Sequence, residues 1–311
     1  MEMIELGGTG LRVSRLGLGC SHFASLTTVH APSEVRAALR AALDAGITFF
    51  DTADVYGQGD SERMLGRALG GRGDAVVCTK AGLCLGLSQR AIRWIKPLAA
   101  PMLRRWRGAR RGTLGAREAV QRQCFEPAYL RRCIEGSLRR LRREALDVFL
   151  LHNPLPGCID AGGVFGLLAG LREKGLIRHY GVSCGRAEHT AWALDQPGVE
   201  VVELPVSVVA PEALAGALPA AAARRVGVVA REVLGGGAAL EDARVMTLCA
   251  HATSRSPAGV ALQFAARAVR GGVVLVRMDS RRHVAENLRA WAEAPLGEDE
   301  WRELSGAGDG R

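Results

Sequence analysis

Short apolar runs and longer stretches of helical periodicity alternate along this chain. Residues 47–50 (Ile-Thr-Phe-Phe) are β-branched or aromatic, follow Gly46 and stop at Asp51, which predicts a buried strand rather than a helix. Similar runs cover 75–79, stopping at Lys80; 146–151, stopping at His152; 177–182, followed by Ser183; and then 199–204, 226–230 and 273–276. Residues 15–18 read as the first core strand, preceded over 1–14 by a β-hairpin about Gly7-Gly-Thr-Gly10. Between these runs the period changes. Val35, Ala38, Leu39, Ala42 and Leu43 recur at helical spacing between a Ser33 cap and Gly46, and Asp60 and Ser61 offer a cap for a helix over 63–69. Further helices are predicted over 127–141, 164–174, 211–224, 257–270 and 281–291.

Eight strands alternating with helices, without an internal repeat, predict an α/β fold of the (β/α)8 TIM-barrel type, with the hairpin as an N-terminal addition. The length of 311 residues suits one such domain over 1–311, somewhat longer than the ~250 residues usual for the fold. The rival is an open doubly wound sheet, which wants G-x-G-x-x-G after its first strand. Gly17-Leu-Gly19-Cys-Ser-His22 lacks the third glycine, so the barrel is preferred.

Composition narrows the function classes. No apolar run approaches the roughly 18 residues of a membrane helix, and the N-terminus lacks the pattern of a secretory signal, so a cytoplasmic protein is expected. The eight cysteines show no C-x-x-C spacing and are expected to be reduced, with Cys184 the best placed to react. No His-x-His pair or carboxylate cluster stands at the strand ends, so no metal is implied. The net charge of +9 is local: residues 88–122 hold ten Lys or Arg and one Glu, and removing them from the totals of 41 and 32 leaves 31 of each sign. Nucleic-acid binding is therefore not inferred. This long basic insertion follows strand three on the side where a barrel keeps its active site. It reads as a solvated loop, as a lure for an anionic substrate or an acidic carrier protein, or, through Trp94 and Trp106, as a contact for an anionic membrane surface.

The chemistry lies where strands stop. Asp51, Lys80 and His152 end strands two, three and four, and Tyr56 follows Asp51 closely. An Asp51–Lys80 pair at adjacent strand ends contributes little stability, because both charges lose water. Its use is electrostatic: a cation near the Tyr56 hydroxyl favours phenolate and lowers a pKa that is ordinarily about 10. Tyr56 could then exchange a proton with a carbonyl oxygen as hydride moves, while His152 orients that oxygen.

Asp51-Thr-Ala-Asp-Val-Tyr56-Gly57, Cys78-Thr-Lys80-Ala-Gly82, Leu150-Leu-His152-Asn-Pro154 and Gly181-Val-Ser183 resemble the signature segments of the aldo-keto reductase family. The resemblance implies a (β/α)8 barrel, NADP(H), with NAD(H) the other option, and reversible hydride transfer between cofactor and aldehyde or ketone. By position it makes Tyr56 the acid/base, Asp51 and Lys80 its tuners, and His152 the carbonyl orienter. It also implies that Ser183 and Glu203 meet the nicotinamide carboxamide, and that Arg231 stands where many members stack a Tyr. Arg277, Asp279, Ser280, His283, Glu286 and Asn287 would serve the adenosine end. Asp279 departs from the family's usual Ser, Thr or basic residue; a carboxylate there repels a 2′-phosphate and could bond a free ribose hydroxyl. The expected function is therefore reduction of a small carbonyl compound or oxidation of its alcohol. The alternative is a cofactor-binding barrel that senses redox state with little turnover.

Overall fold

The computed structural model describes residues 1–23, 30–69, 71–84, 122–252 and 254–306. The expected hairpin is formed by β1 (Met3–Glu5) and β2 (Arg12–Ser14). Three parallel strands follow, β3 (Leu16–Gly19), β4 (Phe49–Asp51) and β5 (Val76–Ala81). A short antiparallel pair, β6 (Leu83–Cys84) and β7 (Arg122–Gln123), stands outside them. Then come β8 (Leu146–His152), β9 (Ile177–Ser183), β10 (Val201–Pro205), β11 (Gly227–Arg231) and β12 (Val273–Arg277). Leaving out the two short pairs, neighbouring strands join in chain order and β12 pairs back onto β3, which closes the predicted barrel.

Around it lie α1 (Pro32–Asp44), α2 (Asp60–Leu69), α3 (Pro127–Leu141), α4 (Ala161–Glu173), α5 (Thr190–Leu194), α6 (Ala217–Ala223), α7 (Ala243–His251), α8 (Pro257–Ala268), α9 (Arg281–Trp291) and α10 (Glu298–Ser305). Ser33 is not the cap of α1. The helix starts at Pro32, whose missing N–H suits a first helical position, with Ala31 before it. The helix expected over 211–224 is broken: Pro211–Leu214 form a 3-10 turn, and Gly216 separates it from α6. Helices α5, α7 and α10 were not anticipated, although Asp242 caps α7 by accepting from the amides of Arg244 and Val245.

Two apolar layers hold the barrel. One fills the space between strands and helices; the other is an inner plug of Phe49, Val76, Cys78, Val148, Leu150, Val201, Val229, Val273 and Leu275, closed by Leu6 and Val13 of the hairpin region. Ser14 fastens the hairpin to this floor. Its Oγ accepts from the amides of Thr48 (2.9 Å) and Phe49 (3.3 Å) and donates to the carbonyl of Leu16 (2.7 Å), while its own amide donates to Thr48 Oγ1 (2.8 Å).

The cysteine expectation is corrected in two places. Cys84 and Cys124 form a disulfide, their Cα atoms 5.8 Å apart, across the β6–β7 ladder. Cys184 is buried, and burial pushes its thiol up to about 12, which makes it an inert core residue rather than a reactive one. The basic insertion, including Trp94 and Trp106, lies outside the described residues except for Arg122. No helix among the described residues is long and apolar enough to cross a membrane.

Candidate active site

Successive side chains on a strand face opposite ways, so the inward layer can be followed upward from the apolar plug. Phe49, Cys78, Leu150, Val201 and Val229 belong to that plug, and two residues further along stand Asp51, Lys80, His152, Glu203 and Arg231. Ser183 rises in the same way from Gly181, where an added Cβ would lie 1.7 Å from the Val201 carbonyl oxygen. The polar residues are thus the next storey of one alternating pattern. Ladder register sets Ser183 beside both His152 and Glu203. Tyr56 opens a 3-10 turn after β4, in which Gly57 and Gln58 both take φ 58°.

Lys80 is fully buried; its ammonium donates to Asp51 Oδ1 and to the Thr52 carbonyl at 3.2 Å, and forms an ion pair with Glu203 Oε2 at 3.0 Å. Burial alone would lower the Lys80 pKa, but the two carboxylates reverse that and hold it well above its ordinary value. Burial, reinforced by Glu203, pushes Asp51 up to about 8 against the pull of Lys80.

Tyr56 and His152 meet edge to face, ring centres 5.7 Å apart at 85°, and Lys80 Nζ lies 5.7 Å from the centre of the Tyr56 ring. The expectation of a lowered tyrosine pKa is corrected in its net direction. Burial raises the phenol to about 12; Lys80 pulls it down, while Asp51 and Glu203 push it further up. Burial of the phenol, and after it the carboxylates of Asp51 and Glu203, outweigh the cation. His152 is displaced well below its ordinary range by burial and by the charges of Lys80 and Arg231, and so is neutral at physiological pH. Its Nδ1 is buried without a hydrogen-bond partner among the described residues.

The remaining residues fall into two groups. In the first, Ser183 Oγ lies 3.1 Å from Glu203 Oε1 and 3.4 Å from Asn153 Oδ1. Glu203 is turned toward Lys80 and Ser183, so the free amide beside Ser183 belongs to Asn153, which the sequence reading missed. Asn153 directly follows His152 and takes φ 51°. Arg231 donates to the carbonyls of Cys184 (2.9 Å) and Gly185 (3.2 Å) and pairs with Glu232, forming a wall across the ends of β9 and β11. A nicotinamide carboxamide needs both a donor and an acceptor, and Ser183 and Asn153 supply them; these residues fit the ring end of such a cofactor.

The second group surrounds the start of α9. Ser280 caps the helix by accepting from the His283 amide at 3.1 Å, and Asn287 Nδ2 donates to the Arg277 carbonyl at 2.9 Å. Glu286 pairs with Arg282 at 3.3 Å. Asp279 is fully buried; Arg277 Nε and Nη2 lie 2.9 and 2.7 Å from its Oδ2, and His283 Nδ1 lies 2.5 Å from its Oδ1. Burial would raise this carboxyl, but Arg277 and His283 together hold it below its ordinary value. Its charge is thus balanced by Arg277 and His283, which corrects the expectation that it stands as a free carboxylate bonding a ribose hydroxyl or repelling a phosphate.

A closed parallel barrel whose inward polar storey gathers a tyrosine, a lysine, an aspartate and a histidine defines the oxidoreductase class suggested by the signature segments. The model of the aldo/keto reductase family matches residues 15–309, and the chain belongs to that family. Among solved structures, the chain is similar to the holo form of aldo-keto reductase AKR11C1 from Bacillus halodurans, with 22% identity, 98% of this chain and 96% of that one covered, and a TM-score of 0.77. Glycerol dehydrogenase AKR11B4 from Gluconobacter oxydans aligns with 22% identity, 98% and 94% coverage and a TM-score of 0.76. An aldo/keto reductase from Klebsiella pneumoniae, solved with NADP and acetate, aligns with 22% identity, 99% and 95% coverage and a TM-score of 0.72.

Proposed function

We propose that this protein transfers hydride between NADP(H) and an aldehyde or ketone, or the corresponding alcohol, with Tyr56 as the general acid and base. The observation that carries this reading is the convergence of Tyr56, Lys80, Asp51 and His152 in one storey above the barrel plug. The bound nicotinamide supplies or accepts the hydride. Tyr56, protonated at neutral pH, donates its hydroxyl proton to the carbonyl oxygen in reduction and takes it back in oxidation. Neutral His152 steers the same oxygen by hydrogen bonding. Lys80 acts on Tyr56 through its field, lying 5.7 Å from the ring centre while it donates to Asp51 and to the Thr52 carbonyl. Ser183 and Asn153 would hold the carboxamide, and Arg231 would wall the ring.

NADP(H) is favoured over NAD(H) because Asp279 is neutralised internally, while Arg282 stays exposed on the first turn of α9, where helix polarity favours a phosphate. The chain is read as one domain over 1–311. Gln123 Nε2 on β7 donates to the Asn153 carbonyl at 3.0 Å, next to His152. The substrate is read as a small carbonyl compound or its alcohol. The test is a panel of aldehydes and ketones followed at the NADPH absorbance, with NADH in parallel. Turnover with NADPH supports the proposal; a strong NADH preference overturns the cofactor assignment. Tight NADPH binding without turnover of any carbonyl compound would instead favour a cofactor-sensing barrel.

A further inference from the structure

We infer a divalent-metal site separate from the hydride chemistry: His30, Asp279 and His283 form a three-ligand set for a zinc-type ion where the segment before α1 meets the start of α9. His283 Nδ1 and His30 Nε2 both face Asp279 Oδ1, at 2.5 and 3.8 Å, and the three ligand atoms all lie within 4.8 Å of one another. A tetrahedral ion with bonds of ~2.0–2.1 Å holds its ligand atoms roughly 3.4 Å apart, so small side-chain rotations would seat one. The imidazoles stand edge to face with centres 5.5 Å apart. Two imidazole nitrogens and one carboxylate oxygen suit zinc, cobalt or nickel better than calcium or magnesium, which prefer oxygen ligands.

The surroundings of these atoms carry the inference further. Glu34 Oε2 lies 2.9 Å from His30 Nδ1. With the neutral imidazole donating its Nδ1–H to that carboxylate, Nε2 would present its lone pair toward Asp279 Oδ1 at 3.8 Å, where a cation would bridge the two. Arg277 holds the other oxygen of Asp279, fixing the carboxylate so that Oδ1 points at the imidazoles. A carboxylate behind a histidine ligand and a cation behind a carboxylate ligand are the outer contacts that orient metal sites. On binding, the proton between His283 Nδ1 and Asp279 Oδ1 leaves to solvent and the metal takes its place; the fourth position goes to water or an anion. No local spacing in the sequence shows the set, because His30 stands far along the chain from its partners.

The test uses the full chain stripped with chelator and titrated with Co2+ alone, followed by visible absorption and thermal melting. The expected result is one Co2+ per chain in a four-coordinate nitrogen/oxygen environment, displaced by Zn2+, with a raised melting temperature. His30→Gln and His283→Gln should each weaken binding by at least ~100-fold. Glu34→Gln, a half-exposed change that touches no ligand position, should weaken it by about 10- to 100-fold. Absence of saturable binding, a thiolate-to-cobalt charge-transfer band, or unchanged affinity in both the His30 and Glu34 variants would overturn the assignment. These readouts record metal rather than turnover, so their failure leaves the carbonyl chemistry untouched.

Discussion

Glu203 Oε2 lies 3.0 Å from Lys80 Nζ, so the buried ammonium is shared between this carboxylate and Asp51. Removing one counter-ion leaves the other in place. Asp51→Asn and Glu203→Gln should each unfold in denaturant with a modest loss of stability. The double variant strands a buried charge, and its loss should exceed the sum of the singles, reaching about 3–5 kcal/mol. Additive losses would mean that the two carboxylates do not share the ammonium.

The same arrangement sets a pH dependence. Oxidation needs Tyr56 as phenolate, and with its pKa near 12 the phenolate fraction grows about tenfold per pH unit through the alkaline range. The rate of alcohol oxidation should therefore climb across pH 7–10 without levelling, whereas reduction, which uses the phenol, stays flat through neutrality. Glu203 raises the Tyr56 pKa, so Glu203→Gln should move the alkaline rise to lower pH. A rise unmoved in that variant would remove Glu203 from the tuning of Tyr56.

Tyr56→Phe removes only the proton carrier. It should lower kcat/KM for carbonyl reduction by at least ~100-fold, the usual cost of losing a general acid, while NADPH binding followed by fluorescence stays unchanged. Turnover close to that of the unaltered protein would rule out the mechanism.

Ser14 is fully buried and satisfies two backbone amides with one oxygen. Ser14→Ala strands those donors at the barrel floor and should cost about 1–3 kcal/mol in denaturant unfolding. Because the floor lies beneath the plug, away from the reacting groups, kcat at low temperature should be unaffected.

The Cys84–Cys124 bond closes a loop with a sequence separation of 40, worth about 4 kcal/mol in the chain-entropy description. Denaturant unfolding with and without reductant should reveal a loss of up to that size. Thiol titration of the unfolded, unreduced chain should find six free cysteines out of eight; a count of eight would show the bridge unformed.

Most of the barrel was legible because parallel strands, buried on both faces, appear as short apolar runs closed by a polar residue. Asp51, Lys80 and His152 announced themselves by ending such runs. Arg231 does so as well, while Glu203 interrupts a run, but the contacts of Glu203 with Lys80 and Arg231 depend on cross-barrel proximity, which no local pattern encodes. Asn153 was hidden because its nearness to Ser183 follows from the ladder pairing of His152 with Ser183. Asp279 was read correctly as a departure but with the wrong outlook: its engagement by Arg277 and His283 depends on side-chain directions, not on spacing. The missed helices α5 and α10 are short, and brief elements leave little periodicity to read.

The two-rung stitch of β6 and β7 sets Cys84 beside Arg122, with Gln123 bonded to the Asn153 carbonyl and the Leu155 amide. Such a junction is a natural cassette boundary. Foreign sequences of quite different length spliced between Cys84 and Arg122 should leave the scaffold's melting behaviour nearly constant. Selection on such a library could then rework molecular selectivity without renegotiating the architecture beneath it.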